Sequence, residues 1–126
     1  MIIQINDYYR LHDLQLEFTR KFPFLKIEFL KTTSRDWTLS KFHLVEAERP
    51  CVCDVRNSHE EGELEINSDM TVEQFESSLV RKFSLPIKVF RKMGKIWRDT
   101  KLTCSWTLYR QNEHGKMKDD PLELFW

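Results

Sequence analysis

Apolar residues recur along this chain in two rhythms, one of period two and one near 3.6, and the pair of rhythms comes round twice. Ile3 and Ile5 alternate with other positions as a half-buried strand requires. Leu11, Leu14, Phe18 and Phe22 then follow at intervals of three, four and four, which paints one stripe along a helix. Leu64 and Ile66 renew the strand signal, and Val72, Phe75, Leu79 and Phe83 renew the helix stripe at the same intervals. Each helix leads into a further strand segment, Phe24 to Lys31 or Ile87 to Lys92.

A single offset of 61 positions aligns the two halves without a gap. It pairs Ile5 with Ile66, Asn6 with Asn67, Arg20 with Arg81, Lys21 with Lys82, Phe22 with Phe83, Phe29 with Phe90 and Lys31 with Lys92. Those seven identities in the 29 pairs from Ile3 to Lys31 exceed the roughly two that ordinary composition supplies. The reading is an α+β fold of two strand-helix-strand-strand repeats sharing one core, with helices packed on an antiparallel or mixed sheet. One domain of 126 residues is expected, with a first repeat over about 1–47, a connector over 48–62 and a second repeat over 63–126.

Local signals place the element ends. Thr71 and Gln74 have capping-box spacing, Asp69 and Glu73 suit a helix N-terminus, and Ser84 to Pro86 should end that helix. Arg10 stands where Thr71 would align, so the first helix is expected to begin earlier, capped by Asn6 or Asp7. A two-residue turn at Met93 and Gly94 would return the chain through Lys95 to Thr100, with Gly94 supplying the positive φ. The first copy's return strand should lie between Trp37 and Ala47. Trp37-Thr38-Leu39 recurs as Trp106-Thr107-Leu108 at an offset of 69, which an insertion of eight residues would explain. Cys51 to Glu61 suits a short helix somewhat better than a strand, Ser105 could cap a final helical turn to about Asn112, and His114 to Pro121 reads as a polar loop before Leu122 to Trp126.

Glu63 to Arg110 carries a Thr-Val helix opening at Thr71 and Val72, a Val-Phe-Arg-Lys-x-Gly hairpin at Val89 to Gly94, and a Trp-Thr-Leu turn at Trp106 to Leu108. In these features it resembles small uncharacterised bacterial proteins, a likeness that supports the fold and implies no activity. The C-terminal half also resembles a ubiquitin-like β-grasp, which implies Leu122 to Trp126 as a last strand. A terminal double glycine is absent, so the resemblance implies no conjugation role.

Composition narrows the class. Nine Phe and four Trp in 126 residues can supply a real core without a staple. No basic leader precedes an apolar stretch, and no apolar run is long enough to cross a bilayer, so a cytoplasmic protein is expected. Cys51, Cys53 and Cys104 are an odd set, and free thiols are the simpler account. Twenty basic and twenty acidic residues balance, yet Glu46 to Glu76 holds ten acids against two arginines, while Arg81 to Lys101 holds eight bases against Asp99. Overall neutrality argues against a dedicated polyanion binder.

The most suggestive surface is the second-copy hairpin. The expected turn would pair Phe90 with Trp97, Lys92 with Lys95 and Lys88 with Asp99 on one face, flanked by Arg91 and Arg98, and would turn Ile87, Val89 and Ile96 to the core. Lys88, Phe90, Lys92, Lys95, Trp97 and Arg98 are therefore the candidate binding residues. Compactness favours the first copy covering Phe90 and Trp97, with lysine stems along the rim. An open face would contact a protein partner or a second copy, or stack on single-stranded nucleic acid. Zinc would recruit Cys51, Cys53 and His59, with His43, but a lone Cys-x-Cys lacks the second pair such sites use, and no metal or cofactor is expected. Glu63 and Glu65 read as a solvated strand face, and Cys104 with His114 lacks a fixed base, so catalysis has the least support. The leading expectation is a non-enzymatic protein-interaction or adaptor module outside the membrane. The alternatives are binding of nucleic acid or another anionic ligand through residues 87–100 and, last, a small enzyme.

Overall fold

The computed structural model describes residues 1–30, 51–52 and 60–117. Alternating segments and stripes become β1 (Ile2–Ile5), α1 (Leu11–Lys21), β2 (Leu25–Phe29), β3 (Gly62–Glu65), α2 (Val72–Phe83), β4 (Ile87–Met93), β5 (Ile96–Asp99), a 3-10 turn (Lys101–Thr103) and α3 (Leu108–Lys116). The class is α+β, and the order strand, helix, strand occurs twice. No helix among the described residues is long and apolar enough to cross a membrane.

Corresponding strands pair with each other. β1 and β3 form an antiparallel ribbon with Ile3 opposite Leu64, and β2, β4 and β5 form an antiparallel sheet in that order, with Ile27 opposite Val89. Both helix stripes are buried in full, from Leu11 to Phe22 and from Val72 to Phe83, and Phe18 stacks on Phe75 with ring centroids 5.1 Å apart. One hydrophobic cluster draws residues from both halves, and Val52 joins it.

Offset 61 does not survive past the helices. It equates Phe29 with Phe90, yet Phe29 is buried beneath the sheet while Phe90 lies half-buried on the other face. Leu25, Ile27 and Phe29 alternate in step with Ile87, Val89 and Arg91, an offset of 62, because α2 runs one residue longer than α1 while three residues separate each helix from its strand. A one-residue slip exchanges the faces of a strand.

Several ends differ from expectation. α1 begins only at Leu11, with Arg10 as a cap that makes no side-chain bond, because Asn6 is used in a turn where its Oδ1 accepts from Tyr8 N–H. α2 begins as its capping box requires, and Ser84 ends it in the left-handed region at φ 53°. The last helix is capped by Thr107 rather than Ser105 and continues through His114 to Lys116, where a polar loop was expected. Its start fastens the start of α2: Val72 and Glu73 donate to the carbonyls of Trp106 and Cys104, and Leu108 donates to that of Met70. Gly115 lets α3 approach the chain before β2, since a Cβ there would stand 2.8 Å from Phe24 Cβ. Cys51 bridges to Arg10. The expected return strand at Trp37 to Ala47, most of the Cys51 to Glu61 segment and the strand at Leu122 to Trp126 lie outside the described residues.

Candidate functional site

The hairpin turns at Gly94 and Lys95, one residue later than expected, with Gly94 at φ +60°. Phe90 therefore faces Asp99, Lys92 faces Trp97 and Met93 faces Ile96. The partners move by two residues, so every side chain keeps its expected face. Lys88 reaches Asp99 diagonally, with Nζ 3.0 Å from Oδ1.

That outer face carries Phe90, Lys92, Trp97 and Asp99, to which β2 adds Lys26 and Glu28. Phe90 is half-buried and Trp97 is 37 % exposed, so the described residues of the first half do not cover them in full. It supplies a cation instead: Lys26 Nζ stands 5.0 Å from the Trp97 centroid and 5.8 Å from that of Phe90, while also pairing with Glu28 at 3.3 Å. Lys26 was not among the sequence candidates, because its alternation with Leu25 and Ile27 fixes its face but not the neighbour of its strand.

Three residues of the hairpin sit otherwise than expected. Lys88 is only 4 % exposed and committed to Asp99, so it is not an available binding residue. Ile96 has the core-side parity but is 61 % exposed, since the hairpin end projects past the core beneath it. Arg91, expected on the flank, is buried under α3, where its Nη1 donates to Gln111 Oε1 at 2.9 Å. Gln111 Nε2 in turn donates to Thr103 O and Oγ1, both at 2.7 Å.

The cations at the tip remain. Lys92 and Lys95 are exposed, Lys101 follows β5 and is exposed, and none of the three has a carboxylate partner among the described residues. Arg98 is half-exposed and donates to the Met93 thioether at 3.5 Å, a weak acceptor.

The sheet closes where β5 ends. Val89 N–H is taken by Glu76 Oε2 at 3.0 Å, and Val89 O accepts from Thr100 Oγ1 at 2.9 Å. Burial pushes the Glu76 carboxyl above its ordinary range, against the pull of Val89 N–H and Lys88. Glu76 also borders an open groove of about 660 Å³ between α2 and the start of β4, lined with Leu30, Glu73, Val80, Arg81 and Ile87. Neither Cys51 nor Cys104 lines it.

Cys104 packs half-buried against the core, and the His114 ring lies 4.5 Å from that of Trp106. Cys53, His59 and His43 lie outside the described residues, and among those described no three His, Cys, Asp or Glu side chains gather as a metal would need. Glu63 and Glu65 are exposed on β3 about the buried Leu64, and Glu63 accepts from Gln4 Nε2 at 3.0 Å. Comparison of the chain with protein-family models, curated proteins and solved structures finds no match, which leaves function to be argued from this geometry.

Proposed function

We propose that the protein is a non-enzymatic interaction module that contacts a protein partner through the outer face of β2, β4 and β5. The observation that carries the reading is the exposure of Trp97 on the same open face as Phe90 and Lys26. A large ring with one apolar side free gains contact area at little cost in conformational entropy, which is why tryptophan anchors so many protein contacts. A protein partner suits this face better than nucleic acid. Glu28 and Asp99 stand among its lysines, and two of those lysines are already paired with them. A phosphate backbone would meet carboxylates where it needs cations.

The test is selection of binders from a random peptide display library on the folded protein, followed by titration against Trp97→Ala. Selected peptides should lose at least about tenfold in affinity with that variant, and should bind with shallow salt dependence. Labelled poly(dT) and poly(U) should not bind. Binders indifferent to Trp97→Ala, or tight binding of either polymer that collapses with added salt, would overturn the reading.

A further inference from the structure

The direction of the backbone bonds along β4 shows which way β5 points its own. Lys92 N–H donates to Phe24 O at 2.9 Å, so Lys92, and with it Phe90 and Lys88, turn their main-chain groups toward β2. Val89, Arg91 and Met93 turn theirs the other way, and Val89's two groups are met by Glu76 and Thr100 beyond the end of β5. The pairs that exchange bonds within the hairpin are therefore Arg91 with Arg98 and Met93 with Ile96. Trp97 and Asp99 point their N–H and C=O groups outward, to an edge that no strand among the described residues occupies.

We infer that this edge takes up an extended acidic segment of the partner as an added antiparallel strand, bonded to the main chain of Trp97 and Asp99. The inference rests on the interaction reading above and specifies its partner. Native edge strands are usually blunted by short length, charge, proline or a covering element; β5 has no proline, but it is four residues long and carries Arg98 on the face of Ile96, so its guard is cationic and turns away basic strands rather than acidic ones. Charge selects the occupant. Among the described residues Lys95, Arg98 and Lys101 border the edge without a carboxylate partner, and Arg98 donates there to the Met93 sulfur, a weak acceptor, so its guanidinium is suited to an incoming carboxylate. Side chains of an added strand alternate between faces. Residues opposite Trp97 and Asp99 would lie on the aromatic face and should be apolar. Those between them would lie beside Arg98 and Ile96 and should be acidic.

The probe is the capped peptide Glu-Val-Glu-Phe-Glu-Val-Glu, with a second version carrying Lys in place of each Glu. In an antiparallel strand the Val and Phe nitrogens bond to β5 and the Glu nitrogens face solvent. N-methylation of the Val and Phe nitrogens should weaken binding by at least about tenfold, whereas N-methylation of the Glu nitrogens should leave affinity within about threefold because no bond is lost. The Lys version should not bind. Exchange of the Trp97 and Asp99 amides with solvent should slow on binding, while those of Arg91 and Met93, already bonded, should not change. If the peptide shifts the Trp97 indole signal but tolerates both methylations equally, strand addition is wrong and the face reading stands. If the acidic peptide does not bind at all, this inference falls, and the display selection decides the broader reading by itself.

Discussion

Two tryptophans stand nine residues apart, each with cations close to its ring, and the protein treats them differently. Trp106 lies at the closed corner under α3, with the Arg110 guanidinium 4.1 Å and that of Arg91 5.4 Å from its ring, and His114 against it. Arg91 is buried, and its bond to Gln111 continues to Thr103, so the corner is a hydrogen-bonded network fixed on three elements. Trp97 lies on β5, opposite the exposed Lys92, with Lys26 Nζ 5.0 Å from its ring and Phe90 on the same open face. A cation over a ring therefore does not distinguish recognition from packing. What distinguishes them is whether a third element closes over the pair and takes up its hydrogen bonds.

The comparison breaks most visibly at the corner. Gln111→Leu keeps the apolar volume but removes one acceptor from Arg91 Nη1 and the Gln111 donor from Thr103, both in the interior. Loss of a charge-assisted bond in the interior, together with the donor to Thr103, should cost about 2–3 kcal/mol of stability, measurable as a lowered urea midpoint. A loss below about 1 kcal/mol would mean that the network relaxes onto water or other partners, and that the corner is less closed than its geometry implies.

The corner was the harder of the two regions to read from sequence. The helix stripes were legible because intervals of three and four permit one buried face, and Phe18, Phe75 and their fellows all occupy it. Parity within the hairpin was legible too, since moving the turn from Met93-Gly94 to Gly94-Lys95 shifts the partners by two and leaves Phe90 and Trp97 on one face. Depth was not. Alternation assigns Ile96 and Arg91 to the core side alike, yet the isoleucine is exposed and the arginine buried, because α3 covers the middle of β4 and stops short of its end. A final helical turn from Ser105 to about Asn112 was legible, but nothing in the pattern carried it on to Lys116 or turned Gln111 inward. Asn6 illustrates another limit: its side chain can cap a helix or close a local turn, and the turn prevailed.

A smaller effect, whose sign depends on pH, is expected where the sheet is sealed. Glu76 has a folded-state pKa raised chiefly by burial, so the folded state holds this proton more tightly than the unfolded chain does. Its contribution is full below the ordinary carboxyl range and is lost as pH rises through the raised value. Glu76→Gln keeps an acceptor for Val89 N–H but does not ionise. The variant should therefore gain on the parent as pH rises from about 4 to about 7, as read from urea midpoints at each pH. A difference that stays flat over that range would show that Glu76 does not titrate differently on folding.

The smallest effect on stability should come from the residue that anchors the proposed contact. Trp97→Ala removes a ring that is 37 % exposed and touches one cation at 5.0 Å, so it forfeits partial burial and a surface cation–π contact. Together these should amount to about 1 kcal/mol, well short of the change at Gln111. The hairpin does not depend on the ring, since Arg91–Arg98 and Met93–Ile96 hold the ladder and Gly94 shapes the turn. Hydrogen exchange at the Arg98 amide should thus be unchanged in the variant while affinity for display-selected peptides falls. If instead Trp97→Ala destabilises the protein as much as Gln111→Leu does, the ring is a packing residue like Trp106. The open face would then lose the anchor on which its proposed function depends.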